Sequence, residues 1–428
     1  MNTKTKPGHK QVILLYKKLV EIPDDWEIDI GEKLFKLSGG IAPDNVNFSE
    51  NGNCLFVQVD DMNSPENYKE IFTSKLKFHS EDNLSVNIRK IRQIVFPKRG
   101  AAILGNKVRI LKENYTVDPN LMLLECKKKI DVEFFYYQIL FLNVSNLMES
   151  AGVPQLNNKD LYPRNFLKPS FLEQQKIASI LSNLDNFINL YNQIIQSTKT
   201  LQQSLLNKLL IQGIKHKNFK NVKNFFNENF EIPKEWDYPK FSQIVKVNPL
   251  TKIEGDKVPY IPMDAVNTEQ SDVNYFEERD SQGNSGLPKF QENDVLFARI
   301  TPSTENGKTC LIENFSGKGI ASSELTVLRP SKQIIPRYLY YYVKSHRVRE
   351  FAISQMMGST GRQRVPDYVF KNDLHFELPS IPEQQKIVSI LSSMELKIEK
   401  QMNYKTNLEY LKKGLMQKLL TGEIRVKV

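Results

Sequence analysis

Cysteine is scarce in this chain. The three present among 428 residues, Cys54, Cys126 and Cys310, lie far apart and form no CxxC pair. That argues against a disulfide framework or a zinc site and points to a reducing compartment, the cytoplasm. Histidine is nearly as sparse: His9, His79, His216, His346 and His375 show no HxxxH or HxE spacing, so no bound metal is expected. Long apolar runs are missing too. The most apolar stretch, FFYYQILFLNV at 134–144, is far short of the roughly 20 residues a membrane span needs. The short apolar run near the start is flanked by lysines and cannot serve as a signal segment. The expectation is a soluble intracellular protein with no membrane partner.

Catalytic motifs are equally wanting. Gly307-Lys308-Thr309 would need a glycine five residues before Gly307 to cradle phosphate, and that position is Pro302. No GxGxxG follows a strand-like run. Asn248-Pro249-Leu250 lacks the second proline of an amino-methylating tetrapeptide, and Pro366-Asp367-Tyr368 with Glu377 lacks the ExK that would complete a nuclease acid pair. No catalysis within this chain, and no cofactor of its own, is expected.

What is present is a basic surplus and a repeat. Lys plus Arg number 59 against 49 Asp plus Glu, an excess that favours a polyanionic partner. PSFLEQQKIASILS, starting at Pro169, returns as PSIPEQQKIVSILS 210 residues later. At that same offset EIPDDW, ending at Trp26, returns as EIPKEW, ending at Trp236, and these hold the only two tryptophans. KLL at Lys208–Leu210 recurs at Lys418–Leu420. Three coincidences at one offset mark a tandem duplication. The stretches 27–166 and 237–376, by contrast, share little identity.

The segment closing each repeat reads as a long helix. Ile177, Leu181, Leu184, Ile188, Tyr191, Ile195, Leu205 and Leu209 recur in steps of three and four with a lapse at Thr198. Ile387, Leu391, Met394, Ile398, Leu408, Leu411, Leu415 and Leu419 repeat the pattern, as in a coiled coil. At 1.5 Å per residue such an arm of about 42 residues extends roughly 60 Å. Gly213 and Gly422 suit C-terminal caps. Neither stripe is stable alone, so the two arms are expected to pair antiparallel, with a globular region at each end. Ser170 with Glu173, and Ser380 with Glu383, fit the S-x-x-E capping box. The box leaves Gln174-Gln175-Lys176 and its copy Gln384-Gln385-Lys386 unexplained. Exposed glutamines vary freely unless they touch something, so both trios are expected to contact a partner.

The variable regions read as mixed α/β. NCLFVQVDD, LMLLECK, VPYIPMDAV, DVLFARI and LTVLRP are strand-like, and DVEFFYYQILFL and IPRYLYYYVKSHRVREFA are helix-like. The expected divisions are an N-terminal extension (1–20), a globular region (21–168), an arm (169–213), a linker (214–230), a second globular region (231–378), and a second arm with tail (379–428). Basic residues gather in loops. The first half offers Arg89, Lys90, Arg92, Lys98, Arg99, Lys107 and Arg109; the second offers Arg299, Thr301, Ser303 and Lys308 in FARITPSTENGKT, with Arg362, Gln363 and Arg364 in GSTGRQR. Arg and Gln can read guanine and adenine edges by paired hydrogen bonds, while Lys mainly meets phosphate. A solvated basic face is the plain alternative.

On the PSxxEQQKIxSILS phrases, the heptad arms ending in KLL, the EIPxxW openings and the run NDVLFAR…GKTCLI…ASSELTVLRP…GSTGRQRV, the chain resembles the DNA-specificity subunit of a type I restriction–modification system. That resemblance implies two α/β (α+β) target-recognition domains in tandem, with the paired arms as a ruler between them. Each domain would read half of a bipartite, asymmetric double-stranded DNA target. It also implies two modification subunits, which methylate adenine with S-adenosylmethionine, and restriction subunits that use ATP. A coiled-coil scaffold with two protein-binding heads is the competing class; a self-sufficient methyltransferase is disfavoured by the missing motifs. Lengthening an arm by one helical turn is expected to change the spacer between half-sites. Methylome sequencing that returned the same spacer would remove the ruler.

Overall fold

The computed structural model describes residues 6–14, 19–148, 154–268, 271–281, 286–359 and 361–428. The chain divides into two units, Met1–Ile194 with Gln401–Val428, and Ile195–Lys400.

The first unit opens on a hairpin, β1 (His9–Ile13) and β2 (Leu19–Pro23), followed by β3 (Glu27–Ile30), α1 (Gly31–Leu34) and β4 (Phe35–Gly39). Then come β5 (Cys54–Val57), β6 (Leu76–Phe78), β7 (Gln93–Pro97), β8 (Arg109–Leu111), β9 (Tyr115–Val117) and β10 (Leu121–Cys126). The unit continues with α2 (Val132–Leu142), α3 (Asn158–Leu161), β11 (Asn165–Lys168) and the start of α4 (Phe171–Gln212). An antiparallel sheet runs β4-β10-β7-β8, and a smaller one runs β6-β5-β9 with β5 and β9 parallel. The apolar runs of β7 and β10 are buried on both faces. Period-2 alternation sends Ile94, Phe96, Met122 and Leu124 toward Phe134, Phe135 and Ile139 of α2. It sends Val95, Leu121 and Leu123 toward Val57 and Val117 of the smaller sheet. The Asp131 side chain accepts from Phe134 N at 2.8 Å and caps α2.

The second unit repeats this plan with different residues. After the end of α4 come β12 (Phe219–Lys223), β13 (Asn229–Pro233), α5 (Phe241–Ile244), β14 (Val245–Val247), β15 (Lys257–Ile261), β16 (Glu277–Asp280) and β17 (Lys289–Gln291). They are followed by β18 (Val295–Ala298), β19 (Thr309–Leu311), β20 (Lys318–Ala321), β21 (Leu325–Pro330), α6 (Pro336–Lys344), α7 (His346–Ser354) and α8 (Ile381–Leu419). The larger sheet runs β14-β21-β18-β19, matching β4-β10-β7-β8 strand for strand. In the other sheet, β16-β15-β20 matches β6-β5-β9 and β17 is added beside β20. Val295, Phe297 and Leu328 face the helices, while Leu296, Ala298 and Val327 face Ile261. What repeats is the order of buried and half-buried positions, which many apolar residues satisfy.

The structure departs from three expectations. Residues 1–20 and 214–230, read as extension and linker, hold equivalent hairpins: β1 and β2 pair His9 with Pro23, β12 and β13 pair Phe219 with Pro233. Part of the first segment, 1–5 and 15–18, lies outside the described residues. The helical run at 335–352 breaks at Ser345, which separates α6 from α7 and whose N–H donates to Tyr342 O at 3.2 Å. Within the arm stripe Leu411 is half exposed. Lys412 turns inward instead, because Asp185 is buried there and takes its ammonium at 2.6 Å.

The arms pair antiparallel within each unit. In the first, the Tyr191 and Tyr404 rings lie 6.1 Å apart and Asp185 meets Lys412, so positions rise on α4 as they fall on α8. In the second, Leu206, Leu209 and Leu210 of α4 share a core with Ile387 and Leu391 of α8. Gly213 and Gly422 follow the helix ends at φ 62° and 72°, a left-handed conformation that favours glycine. A Cβ on Gly213 would stand 2.5 Å from the Glu383 carboxylate and 2.6 Å from the Trp236 ring. Gly213→Ala is expected to destabilise the second unit by about 1–3 kcal/mol, seen in denaturant titration as a lower midpoint with the far-UV spectrum retained.

Candidate nucleic-acid interface

Both repeated phrases meet at one joint in each unit. The Trp26 indole N–H donates to Glu173 at 3.1 Å, and the Trp236 indole N–H donates to Glu383 at 2.9 Å. Each joint is closed by residues that follow the other arm. Arg425 donates to Glu173 at 2.8 and 3.1 Å and to Asp25 at 2.8 and 2.9 Å. Ile214 N donates to Glu383 at 2.9 Å, and His216 Nε2 lies 2.8 Å from the same carboxylate. Its hydrogen bonds to Glu173 and Asp25 raise the Arg425 pKa further.

The capping box is therefore half formed. Ser170 Oγ accepts from Glu173 N at 3.2 Å, but the glutamate side chains serve the tryptophans. At the second joint Glu383 N donates to the Ser380 carbonyl at 3.0 Å instead. The tryptophans were not expected to be functional. The signal was there: in both repeats Trp and Glu are separated by 147 residues.

The glutamine trios divide. Gln174 and Gln384 are buried, because their amides bind the globular region to its arm. Gln174 Oε1 accepts from Asp131 N at 2.8 Å, and its Nε2 donates to Pro169 O at 2.9 Å. Gln384 Oε1 accepts from Ile335 N at 2.9 Å, and its Nε2 donates to Gln333 O and Pro379 O, both at 2.9 Å. A buried and satisfied carboxamide has nothing left to offer another protein, so these two leave the set of expected partner contacts. Gln175, Lys176, Gln385 and Lys386 remain exposed.

The basic residues of the first unit also sort by what they touch. Arg109 is spent inside, donating to the carbonyls of Asn67, of Val108 at 2.8 Å and of Met62 at 3.0 Å; burial lowers its pKa. Arg92 is held between Glu70 at 2.7 Å and Glu133 at 2.9 Å. Lys107 bonds to Asn63, and Arg89 reaches Ser38 at 3.4 Å. Lys98 is half-buried, its pKa lowered by burial and then by Arg99. Arg99 and Lys90 are exposed.

In the second unit Arg299 is tied to Asp367 at 2.8 Å, and Lys308 donates to Met263 O at 3.2 Å. Thr301 N donates to Gln363 O at 3.0 Å, and Ser303 accepts at its carbonyl from Lys308 N at 3.0 Å. Arg364 is fixed by exchanging backbone hydrogen bonds with Met357 at 2.8 and 2.9 Å, and Val365 N donates to Arg299 O at 2.8 Å. The fold thus lays the GSTGRQR loop against the FARITPS run, although Thr360 lies outside the described residues. Arg362 and Arg364 are exposed. No candidate metal cluster occurs among the described residues, and none of their helices is long and apolar enough to cross a membrane.

A family model, the type I restriction modification DNA specificity domain, matches residues 23–200 and again 233–408. The type I restriction enzyme EcoAI specificity subunit of Escherichia coli is 32% identical over 164 residues, 37% of this chain and 28% of that protein. The match therefore spans well under half of that relative. The MjaVIII specificity subunit of Methanocaldococcus jannaschii is 23% identical over 438 residues, 95% of each chain. A solved structure concerned with complex assembly and conformational transition of the type I R-M system superposes with a TM-score of 0.57 at 13% identity, covering 94% of this chain and 99% of that one. The type I S subunit from M. genitalium gives 0.52 at 14%, covering 92% and 96%. At such identities these two structures establish the fold.

Burial would raise the Glu133 pKa, but Lys69, Ser182 and Arg92 outweigh it and hold the carboxyl at about 2. A depressed folded pKa stabilises the protein above the unfolded value, about 4.3, and that stability is lost as pH falls toward 2. Glu133→Gln should lower the melting temperature at neutral pH and flatten its decline below about pH 4.3. Arg109→Ala should cost about 1–3 kcal/mol in denaturant titration and leave the salt dependence of DNA binding unchanged.

Proposed function

We propose, for this chain, which belongs to the type I restriction–modification DNA specificity family, a sequence-reading role: each unit binds one half of a bipartite, asymmetric double-stranded DNA target. The observation that carries this reading is one backbone plan built twice with different exposed side chains. Arg99 stands exposed on the first copy, Arg362 and Arg364 on the second. Identical frames with different donors bind the same class of ligand and read different sequences from it. The basic surplus supplies the phosphate attraction.

The role is non-catalytic. Methyl transfer to adenine and ATP-driven restriction belong to modification and restriction subunits, which hold S-adenosylmethionine and ATP. Gln175 with Lys176, and Gln385 with Lys386, are exposed at equivalent places beside the two joints. Two equal surfaces suit two modification subunits. The work of such a complex lies in the cytoplasm, where the chromosome is.

Replacing Arg362 and Arg364 together by Ala should weaken binding of target duplex and reduce the salt slope by roughly 1–2. Fluorescence anisotropy across a salt series reads both. A wild-type slope would clear the loop of phosphate contact, and absence of any sequence-specific binding by the assembled complex would favour the scaffold reading.

A further inference from the structure

The first unit contains an unassigned counterpart to Arg364. Three backbone hydrogen bonds define the frame around Arg299: Arg299 N to Glu324 O at 2.9 Å, Val365 N to Arg299 O at 2.8 Å, and Thr301 N to Gln363 O at 3.0 Å. The first unit repeats all three around Lys98: Lys98 N to Asn120 O at 2.8 Å, Leu156 N to Lys98 O at 2.9 Å, and Gly100 N to Pro154 O at 2.8 Å. The strands beneath agree, since Pro97 pairs with Leu121 as Ala298 pairs with Leu325. Lys98 therefore stands where Arg299 stands, Leu156 where Val365 does, and Gln155 where Arg364 does. Those same hydrogen bonds pair Arg99 with Gln155 and Ile300 with Arg364 as isolated antiparallel bridges. Sequence alignment could not find this pair, because the loops leading to them differ in length and composition.

Gln155 and Arg364 are both exposed and both emerge from backbone that the frame immobilises. Arg364 has no side-chain partner among the described residues and keeps its donor fork open. Gln155 Nε2 donates one N–H to Asn157 Oδ1 at 3.0 Å, and Asn157 is fixed at the start of α3 by its own N–H, which donates to Asp160 at 2.7 Å. That tether orients the carboxamide while its oxygen and its second N–H have no partner among the described residues. Those two groups are the acceptor and donor that adenine N6 and N7 require, just as the arginine fork suits guanine O6 and N7.

We infer that Gln155 is a specificity-determining residue of the first unit, reading an adenine edge from the place where Arg364 reads a guanine in the second. The inference deepens the DNA-reading role proposed above and rests on it.

The test uses the full-length chain with its modification subunits in a host free of adenine methylation. Methylated adenines are mapped for the wild type, Gln155→Arg, Gln155→Ala and Arg364→Gln. Gln155→Arg should exchange A·T for G·C at one position of one half-site, and Arg364→Gln should make the reverse change in the other half-site only. Gln155→Ala should relax the first of those positions, with discrimination against the wrong base falling roughly tenfold in duplex binding. A bipartite motif that survives Gln155→Ala and Gln155→Arg unchanged would overturn the inference while leaving the DNA-reading role intact. So would changes in both half-sites at once, or a soluble assembled complex that both variants render inactive at every site. A wild-type motif without two halves would overturn the role itself, and the inference with it.

Discussion

A hydrogen bond from a buried indole to a carboxylate, made once in each unit, is the constraint on which the rest of this protein depends. Trp26 and Glu173, like Trp236 and Glu383, come from opposite ends of a globular region. Joining them sets the direction in which the arm leaves. A carboxylate removed from water must be paired and hydrogen-bonded or it is strongly destabilising, so each glutamate recruits a further donor. The first recruits Arg425 and the second Ile214 N with His216. Those donors follow the end of the opposite arm, which ties each arm's end to the start of the other. Glycine ends both arms because no Cβ fits between the returning chain and the joint.

Gln174 and Gln384 make the second half of the same attachment. Each carboxamide bonds the main chain before its own helix and the main chain before α2 or α6. An apolar contact could hold these elements together, but only the donor–acceptor pair of an amide satisfies both strands of backbone at once. The repeated phrase is thus mostly an internal fastening, and its exposed remainder, Gln175-Lys176 and Gln385-Lys386, is what is left for another protein.

With the attachment held constant, the recognition faces are free to diverge. The frame around Lys98 and Arg299 is made of backbone hydrogen bonds, which no substitution other than proline removes. The side chains it presents can therefore change without disturbing the fold, and basic residues near one another in sequence can take different partners. Arg109 and Arg92 illustrate this: both lie in the basic run of the first half, yet one binds carbonyls and the other carboxylates.

The tandem repeat, the two arm helices, the α/β character and the want of catalytic motifs were legible in the sequence, because identity at a fixed offset and apolar periodicity are local properties of the chain. The hairpin at the start of each repeat was not legible. Its first strands differ at most positions, and only the shared pairing of His9 with Pro23 and Phe219 with Pro233 shows that the repeated Glu-Ile-Pro closes a hairpin in both. Nor could sequence separate Arg109 from Arg364, since exposure is decided by what packs alongside. The sequence by itself determined that one plan is used twice and where each arm begins. Tertiary structure alone decided which glutamine is spent, which arginine is free, and that Gln155 stands in the place of Arg364. The reason is physical: periodicity records which face of an element is buried, whereas a polar side chain's role depends on partners brought near only when distant segments pack.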